Sequence, residues 1–135
     1  MARAIGIDYG GKRCGLAVTD PLRIAVNPLA SVPTSELEQY LKHYLSHERV
    51  DLIVLVDPVH KDGQPTALGP AIHTFGDHLK QIYPAIRIDY IDEKNSSVQA
   101  VHRLVRNGTP RNKRNKEAID QMSAILILQK YLNHI

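Results

Sequence analysis

Three acidic residues stand where a carboxylate could take part in hydrolysis: Asp8, Glu93 and Asp120. Asp8 ends a short apolar run bounded by glycines, Glu93 follows a second apolar run, and Asp120 lies early in a predicted final helix. Carboxylates without a permanent basic partner repel one another, and a hard divalent cation with oxygen ligands, Mg²⁺ or Mn²⁺, would hold them together. One or two such cations can activate water and stabilise the leaving oxygen of a phosphodiester.

Each acid also has a purely structural interpretation. Asp8 could accept hydrogen bonds from the amides of the glycine turn that follows it. Glu93 could be solvated, and Asp120 could be stabilised near the N-terminus of its helix. The acids become informative together, because the chain order places them at one edge of a sheet.

A basic segment accompanies the acids. Residues 103–116 carry six basic residues and no acid, and the segment also contains Gly108, Pro110 and three asparagines. Such a run can be a solvated loop, but it is also suited to contact phosphates. The basic residues are Arg103, Arg106, Arg111, Lys113, Arg114 and Lys116.

Two further residues follow the apolar run 52–56. Asp57 could line the same edge or cap the Pro58 turn, and His60 could contact substrate. The histidine pairs at 43 and 47 and at 73 and 78 lack a third ligand at zinc-site spacing, which indicates surface histidines.

Composition limits the class of protein. The chain has 135 residues, 43% hydrophobic and 23% charged, with a net charge of +3, which predicts one soluble globular domain over residues 1–135. No apolar run is long enough to span a membrane, and Asp8 interrupts any signal-like segment. The single cysteine, Cys14, can make no internal disulfide and is expected to pack in a strand. We therefore expect a cytoplasmic protein.

The order of elements predicts an α/β fold with a mixed five-stranded sheet and about four helices. An antiparallel hairpin over 3–8 and 14–20 opens the chain, and an edge strand is expected over 22–26. A helix capped by Ser35 precedes a strand at 51–56, a helix at 66–83 precedes a strand at 86–91, and a helix begins near Asn95 or Ser96. The final helix is predicted over 116–133. The apolar sides of the last three helices would include Ile82 in the first of them, Val105 in the second and Ile125 in the final helix.

In such sheets the functional site lies beyond the carboxyl ends of the parallel strands. Asp8 and Glu93 should therefore approach each other if their strands are near neighbours. Asp120 joins them if the final helix begins at the same edge.

The motifs that carry these acids resemble those of the YqgF/RuvX family. Residues 7–10 with 12–21 resemble its opening motif, Asp92-Glu93 before a polar stretch resembles the second, and residues 116–128 resemble the third. Asp62-Gly63 also fits, and the likeness covers nearly the whole chain. The chain departs from the family pattern at Asp57, at Lys94 in place of arginine, and at residues 95–97 in place of threonines.

The resemblance implies an RNase H-like fold and a nuclease acting in 5′-end maturation of precursor 16S ribosomal RNA. It implies Mg²⁺ or Mn²⁺ bound by Asp8, Glu93 and Asp120, and precursor ribosomal RNA or a pre-ribosomal subunit as partner of a monomer or weak dimer. The residues expected to bind nucleic acid are Lys12, Arg13, Lys94, Arg111, Lys113, Arg114 and Lys116.

Three other functions remain open from the sequence. The family was earlier linked to Holliday junctions, so a junction-cleaving DNA nuclease is one. A non-catalytic RNA-binding factor in ribosome assembly is another. An actin-like ATPase also opens with an acid and a glycine turn, but it needs two such domains and this chain supplies one.

Overall fold

A computed structural model describes the backbone of residues 2–58, 68–93, 96–110 and 115–133, and all their side chains except those at 57–58, 92–93, 96–99 and 101. These residues form five strands and four helices, with three strands first and two helices last. They are β1 (Arg3–Tyr9), β2 (Arg13–Thr19), β3 (Val26–Pro33), α1 (Leu37–Leu45), β4 (Val50–Pro58), α2 (Gly69–Ile82), β5 (Arg87–Glu93), α3 (Ser96–Arg106) and α4 (Lys116–Tyr131).

The strands form one mixed sheet in the order β3-β2-β1-β4-β5. β2 lies antiparallel to both β1 and β3, whereas β4 runs parallel to β1 and to β5. The predicted sheet, with its opening hairpin and its parallel strands, is confirmed. The carboxyl ends of β1, β4 and β5 therefore meet at one edge, where Asp8 and Glu93 are the last or next-to-last residues of their strands.

Each face of the sheet packs its own apolar layer because side chains alternate along a strand. Ile5 and Ile7 of β1 face the side covered by α1 and α2, together with Leu41 and Ile72 of those helices. Ala4 of β1 and Val54 of β4 lie on the opposite face, against Ala124, Ile127 and Leu128 of α4. Cys14 is fully buried in the first layer, as its strand context predicts.

Small residues let α4 lie close to the sheet. A Cβ atom on Gly6 would stand 3.0 Å from Leu128 Cβ and 3.1 Å from the Ala124 carbonyl oxygen. At the far end of the helix, the Tyr131 hydroxyl donates a hydrogen bond to the carboxylate of Asp89 in β5. The helix is therefore held against the sheet along its length.

The predicted edge strand at 22–26 is wrong. The carboxylate of Asp20 accepts hydrogen bonds from the amides of Leu22, Ile24 and Ala25 at 3.1, 2.9 and 2.8 Å, and Arg23 has a positive φ of 57°. These bonds hold residues 20–25 in a turn. The edge strand instead begins at Val26, and it contains Pro28 and Pro33, which an edge strand tolerates.

The helices differ from prediction in smaller ways. Ser35 caps nothing, since Thr34–Glu36 forms a 3₁₀ turn without a side-chain cap before α1 begins. Helix α2 starts at Gly69, so Pro70 lies in its first turn, where proline is tolerated, while the predicted start at 66 lies outside the described residues. Ile82 and Val105, predicted to face inward, are 42% and 49% exposed. Helix α4 ends at Tyr131 rather than at 133. None of the helices among the described residues could cross a membrane.

Candidate functional site

Asp8 lies in β1 directly opposite Gly15 of β2 in the antiparallel ladder. The next pair along, Tyr9 and Cys14, ends the ladder before the turn at residues 10–12. Two residues earlier, Gly6 faces α4, and the strand period of two places Asp8 on that same face. The carboxylate thus stands at the end of a buried strand and beneath the start of α4.

Helix α4 brings Asp120 over the same pair of strands. A Cβ atom on Gly15 would stand 2.1 Å from the Asp120 carbonyl oxygen and 2.9 Å from the Asp120 Cβ atom. Only glycine fits at this position. Because Gly15 is the ladder partner of Asp8, the helix residue and the strand residue become neighbours, and the predicted approach of Asp8 and Asp120 is found.

The environment of Asp8 disfavours its negative charge. The pKa of Asp8 is raised from 3.8 to about 6, mainly by burial and also by the negative charge of Asp120. The hydroxyl of Ser123, fully buried one turn after Asp120, donates a hydrogen bond that acts in the opposite direction. Two acids this close carry an unfavourable interaction that a bound cation would relieve.

Arg13 contacts the second acid. Its Nε–H donates to Asp120 Oδ2 at 3.0 Å, with the two side chains 36% and 24% exposed. The resemblance assigns Arg13 to nucleic-acid binding, whereas the structure places it first of all against a candidate metal ligand.

The turn before Arg13 is held by Thr34. The Thr34 hydroxyl donates to the Gly10 carbonyl oxygen at 2.6 Å, and the Thr34 amide donates to the Lys12 carbonyl oxygen at 2.9 Å. A Cβ atom on Gly10 would stand 2.3 Å from the Arg13 carbonyl oxygen, so this turn also requires glycine. The turn leaves Lys12 exposed beside the acids.

Glu93 reaches the same edge by strand register. It is the last residue of β5 and pairs with Pro58 of β4, and it stands two positions after Ile91, which packs on the α4 face. One strand, β4, separates β1 from β5, and Glu93 lies two residues farther along than Asp8, so positions 8 and 93 are roughly 12 Å apart. The Glu93 side chain lies outside those that the structure describes. Among the described side chains, no group of three His, Cys, Asp or Glu residues could hold a metal ion.

The other predicted site residues divide into two groups. Lys116 is the exposed first residue of α4, four residues before Asp120, and Asp57 pairs with Asp92 near the end of β4. The remaining predictions lie outside the described residues: His60, Lys94, Arg111, Lys113 and Arg114. The histidines at 43, 47, 73 and 78 are exposed, as expected.

Sequence reasoning missed two residues that shape this site, Ser123 and Thr34. The glycines at 10, 11 and 15 do predict a close approach by another segment or a ligand, but not that α4 lies against Gly15. Ser123 could have been found, because it follows Asp120 by three residues and so shares its helix face. Thr34 lies 24 residues from its partner Gly10, with no local pattern to link them.

A surface cavity of about 700 Å³ lies elsewhere, along α1, and is lined by Ser35, Glu38, Lys42 and His43 among others. Helix α1 covers the sheet face opposite to α4. The cavity is therefore separated from the acids by the sheet itself, and it does not compete with them as a candidate site.

Nearly the whole chain is similar to known proteins. A family model described as "RuvX: Holliday junction resolvase" matches residues 2–134. A Flavobacterium johnsoniae protein is 36% identical over 134 residues, covering 98% of this chain and 97% of its own length. A Parabacteroides distasonis protein is 40% identical over 133 residues, covering 98% and 95%. A Porphyromonas gingivalis protein is 40% identical over 135 residues, covering 99% and 98%.

All three relatives carry the name "Putative pre-16S rRNA nuclease". Among solved structures, Archaeoglobus fulgidus Pelota aligns with 98% of this chain and 36% of its own, with a TM-score of 0.49 and 12% sequence identity. A likeness that low supports no conclusion.

Proposed function

This chain belongs to the RuvX family of Holliday junction resolvases, and on that premise we propose that it is a divalent-metal-dependent endonuclease acting on precursor 16S ribosomal RNA. Membership confirms the resemblance that the three motifs indicated. The relatives' name points to the ribosomal precursor, and in this proposal the cut matures its 5′ end. Residues 1–135 act as a single RNase H-like nuclease domain in the cytoplasm, as a monomer or weak dimer.

One observation carries the proposal: the backbone of Asp120 lies against Gly15, the ladder partner of Asp8, so the acids of α4 and β1 are neighbours. In keeping with this, the charge of Asp120 helps to raise the pKa of Asp8. Burial and the charge of Asp120 both oppose ionisation of Asp8, so its charged carboxylate costs stability in the metal-free protein. The cost is understandable at a site built to receive a cation.

The residues present suit Mg²⁺ or Mn²⁺. Asp8 and Asp120 supply only oxygen atoms, which these hard cations prefer, and Glu93 stands at the same sheet edge by register. Asp8 and Asp120 would hold one or two ions together with Glu93. When bound, such ions lower the pKa of an attacking water and stabilise the leaving oxygen.

The chain's own residues would then place the phosphodiester. Lys12 is exposed at the turn beside Asp8, and Lys116 is exposed at the start of α4, so these two lysines flank the acids. They would hold the phosphates on either side of the cleaved bond. We add to this surface Lys94, Arg111, Lys113 and Arg114 of the basic segments, with Asp57 and His60 at the rim of the site.

The test is cleavage of end-labelled precursor ribosomal RNA that retains its 5′ leader, in Mg²⁺, Mn²⁺ or chelator. Wild type is compared with Asp8→Asn and with Asp77→Asn, a matched loss of a carboxylate that is 73% exposed on α2, across the sheet. Discrete, metal-dependent products that disappear only in Asp8→Asn support the proposal. Products that persist in Asp8→Asn overturn it. Salt-sensitive RNA binding without any products would favour the non-catalytic assembly factor.

A DNA junction nuclease is the second candidate, because the family model carries the resolvase description. A four-way DNA junction and a duplex of the same sequence enter the assay as competitors. Preferential, symmetric cutting of the junction would favour this candidate over the ribosomal one.

A further inference from the structure

Arg13 contacts a candidate ligand in a way that phosphate binding does not require. The Nε–H of Arg13 donates to Asp120 Oδ2 at 3.0 Å, and both side chains are more than half covered. A guanidinium carries five N–H donors, so this bond leaves four on the Nη atoms outside the ion pair. One arginine can therefore orient a carboxylate and still have donors to spare.

Strand β2 contacts Asp120 at two points. Arg13 and Gly15 are two residues apart and so share a face of the strand. Arg13 binds the carboxylate of Asp120, while Gly15 receives its backbone, with the Asp120 carbonyl oxygen 2.1 Å from a would-be Cβ atom. Backbone and side chain of Asp120 are each fixed by the strand that pairs with Asp8.

We propose that Arg13 is a positioning residue for the metal site: it holds the Asp120 carboxylate in the orientation that a divalent cation needs. This inference rests on the proposed function. A positive charge beside a cation site also repels the cation, so the two effects of Arg13 have opposite signs. We expect the gain from orienting the Asp120 carboxylate to outweigh the repulsion between Arg13 and the metal ion, so removing Arg13 should weaken metal binding.

The chain offers a matched control. Arg3 Nε donates to Glu48 Oε2 at 3.1 Å, with side chains 28% and 35% exposed, so this ion pair resembles that of Arg13 with Asp120. Arg3 also donates from Nη1 to the Thr19 carbonyl oxygen at 3.1 Å. Arg3 lies at the amino end of β1, whereas Asp8 lies near the carboxyl end of the same strand. Arg3→Gln therefore removes an equivalent ion pair without touching the acids.

The experiment measures Mn²⁺ binding to RNA-free protein by calorimetry, with thermal unfolding to verify folding. Arg13→Gln is expected to raise the Mn²⁺ dissociation constant about tenfold, the size seen when residues that orient metal ligands are removed. Arg13→Lys should recover much of the loss, because an ammonium can still pair with Asp120. Arg3→Gln should bind Mn²⁺ like wild type.

A second readout separates positioning from phosphate contact. Under the proposal, Arg13→Gln raises the Mg²⁺ concentration needed for half-maximal cleavage and lowers kcat, with little change in KM for RNA. Lys12→Gln, which removes a neighbouring cation without an ion pair to Asp120, should mainly raise KM.

Three results would count against the inference. Unchanged or tighter Mn²⁺ binding by Arg13→Gln would overturn it, and Arg13 would be a phosphate contact like Lys12. An equal loss in Arg3→Gln would also overturn it, as a general effect on folding. If the wild type does not bind Mn²⁺, or if Asp8→Asn binds it equally well, the proposed function fails and the inference fails with it. The first two results overturn the inference alone, provided that the wild type binds Mn²⁺ and Asp8→Asn does not.

Discussion

The carbonyl oxygen of Asp120 lies directly above the Cα atom of Gly15, so close that a methyl group on Gly15 would stand 2.1 Å from it. Since Gly15 is also the ladder partner of Asp8, this one contact sets how near α4 brings its acid to the acid of β1. The spacing of the candidate ligands is thus decided by a residue that takes no part in chemistry.

Gly15→Ala should push α4 away from the sheet. We expect a loss of at least about 2–3 kcal/mol of stability, as for an overpacked core, and a fall in cleavage of about 10²-fold from misplacement of Asp120. Urea unfolding and the RNA cleavage assay measure the two effects.

Gly→Ala variants at two other positions test whether the loss follows the space available for a Cβ atom. Gly11→Ala should be nearly silent, because a Cβ atom there meets nothing within 4 Å. Gly6→Ala should fall between the two, with its contacts at 3.0 and 3.1 Å. Equal losses of stability and cleavage in Gly15→Ala and Gly11→Ala would show that the position of α4 does not depend on its close contact with Gly15.

Asp8→Asn should stabilise the metal-free protein at neutral pH. The folded pKa of Asp8 is raised from 3.8 to about 6, so folding favours the protonated carboxyl. The resulting penalty is absent below about pH 4, grows as pH rises through 6, and is complete above it. The expected gain from Asp8→Asn is about 1–3 kcal/mol at pH 7.5 and close to zero at pH 4.

Unfolding in chelator between pH 4 and 8 measures this gain. Asp77→Asn serves as control, since its side chain is 73% exposed and its removal should give no such trend. If the difference in unfolding free energy between wild type and Asp8→Asn is the same at every pH, the pKa of Asp8 is not raised in the folded protein.

Divalent cations should raise the melting temperature of the wild type. A ligand at ten times its dissociation constant stabilises the folded state by about 1.4 kcal/mol, which shifts the melting temperature of a domain of this size by about 4 °C. Asp8→Asn should lose the shift. Melting curves over a Mg²⁺ and Mn²⁺ series, at constant ionic strength set with KCl, test it. A shift that survives in Asp8→Asn would place cation binding elsewhere.

Thr34→Val should impair cleavage more than its effect on stability suggests. The substitution keeps the shape of the side chain but removes the hydroxyl that donates to the Gly10 carbonyl oxygen at 2.6 Å. We expect a stability loss of about 1 kcal/mol and a several-fold drop in kcat, because the turn that carries Lys12 and leads into Arg13 is loosened.

The matched control is Thr74→Val. The Thr74 hydroxyl donates to the Pro70 carbonyl oxygen at 2.9 Å within α2, on the other side of the sheet. It should leave kcat unchanged. Equal activity in both variants would show that the turn at residues 10–12 holds its shape without Thr34.

Much of the fold was accessible from the sequence because local pattern and topology agree. The apolar runs before Asp8 and Glu93 predict strands, and the rule that parallel strands share an edge predicts that their ends meet. Helix α4 begins at Lys116 as predicted and ends two residues before the predicted end. Asn115 caps its start by accepting a hydrogen bond from the Ala118 amide at 2.8 Å.

The errors arose where a side chain overrides local pattern. Residues 22–26 read as a strand, but the Asp20 carboxylate binds three amides of that segment and keeps it in a turn. The contact of Arg13 with Asp120 joins residues 107 positions apart, and no pattern along the chain predicts which donor of the basic turn will bind which acid.

The prolines of β3 have a consequence for how these molecules behave when crowded. β3 forms one outer edge of the sheet, where unpaired amides can template strand addition by another chain. Pro28 and Pro33 have no amide hydrogen to offer, and the ladder is irregular between Leu16 and Ala17, opposite Pro28. The edge is therefore a poor template for cross-β association.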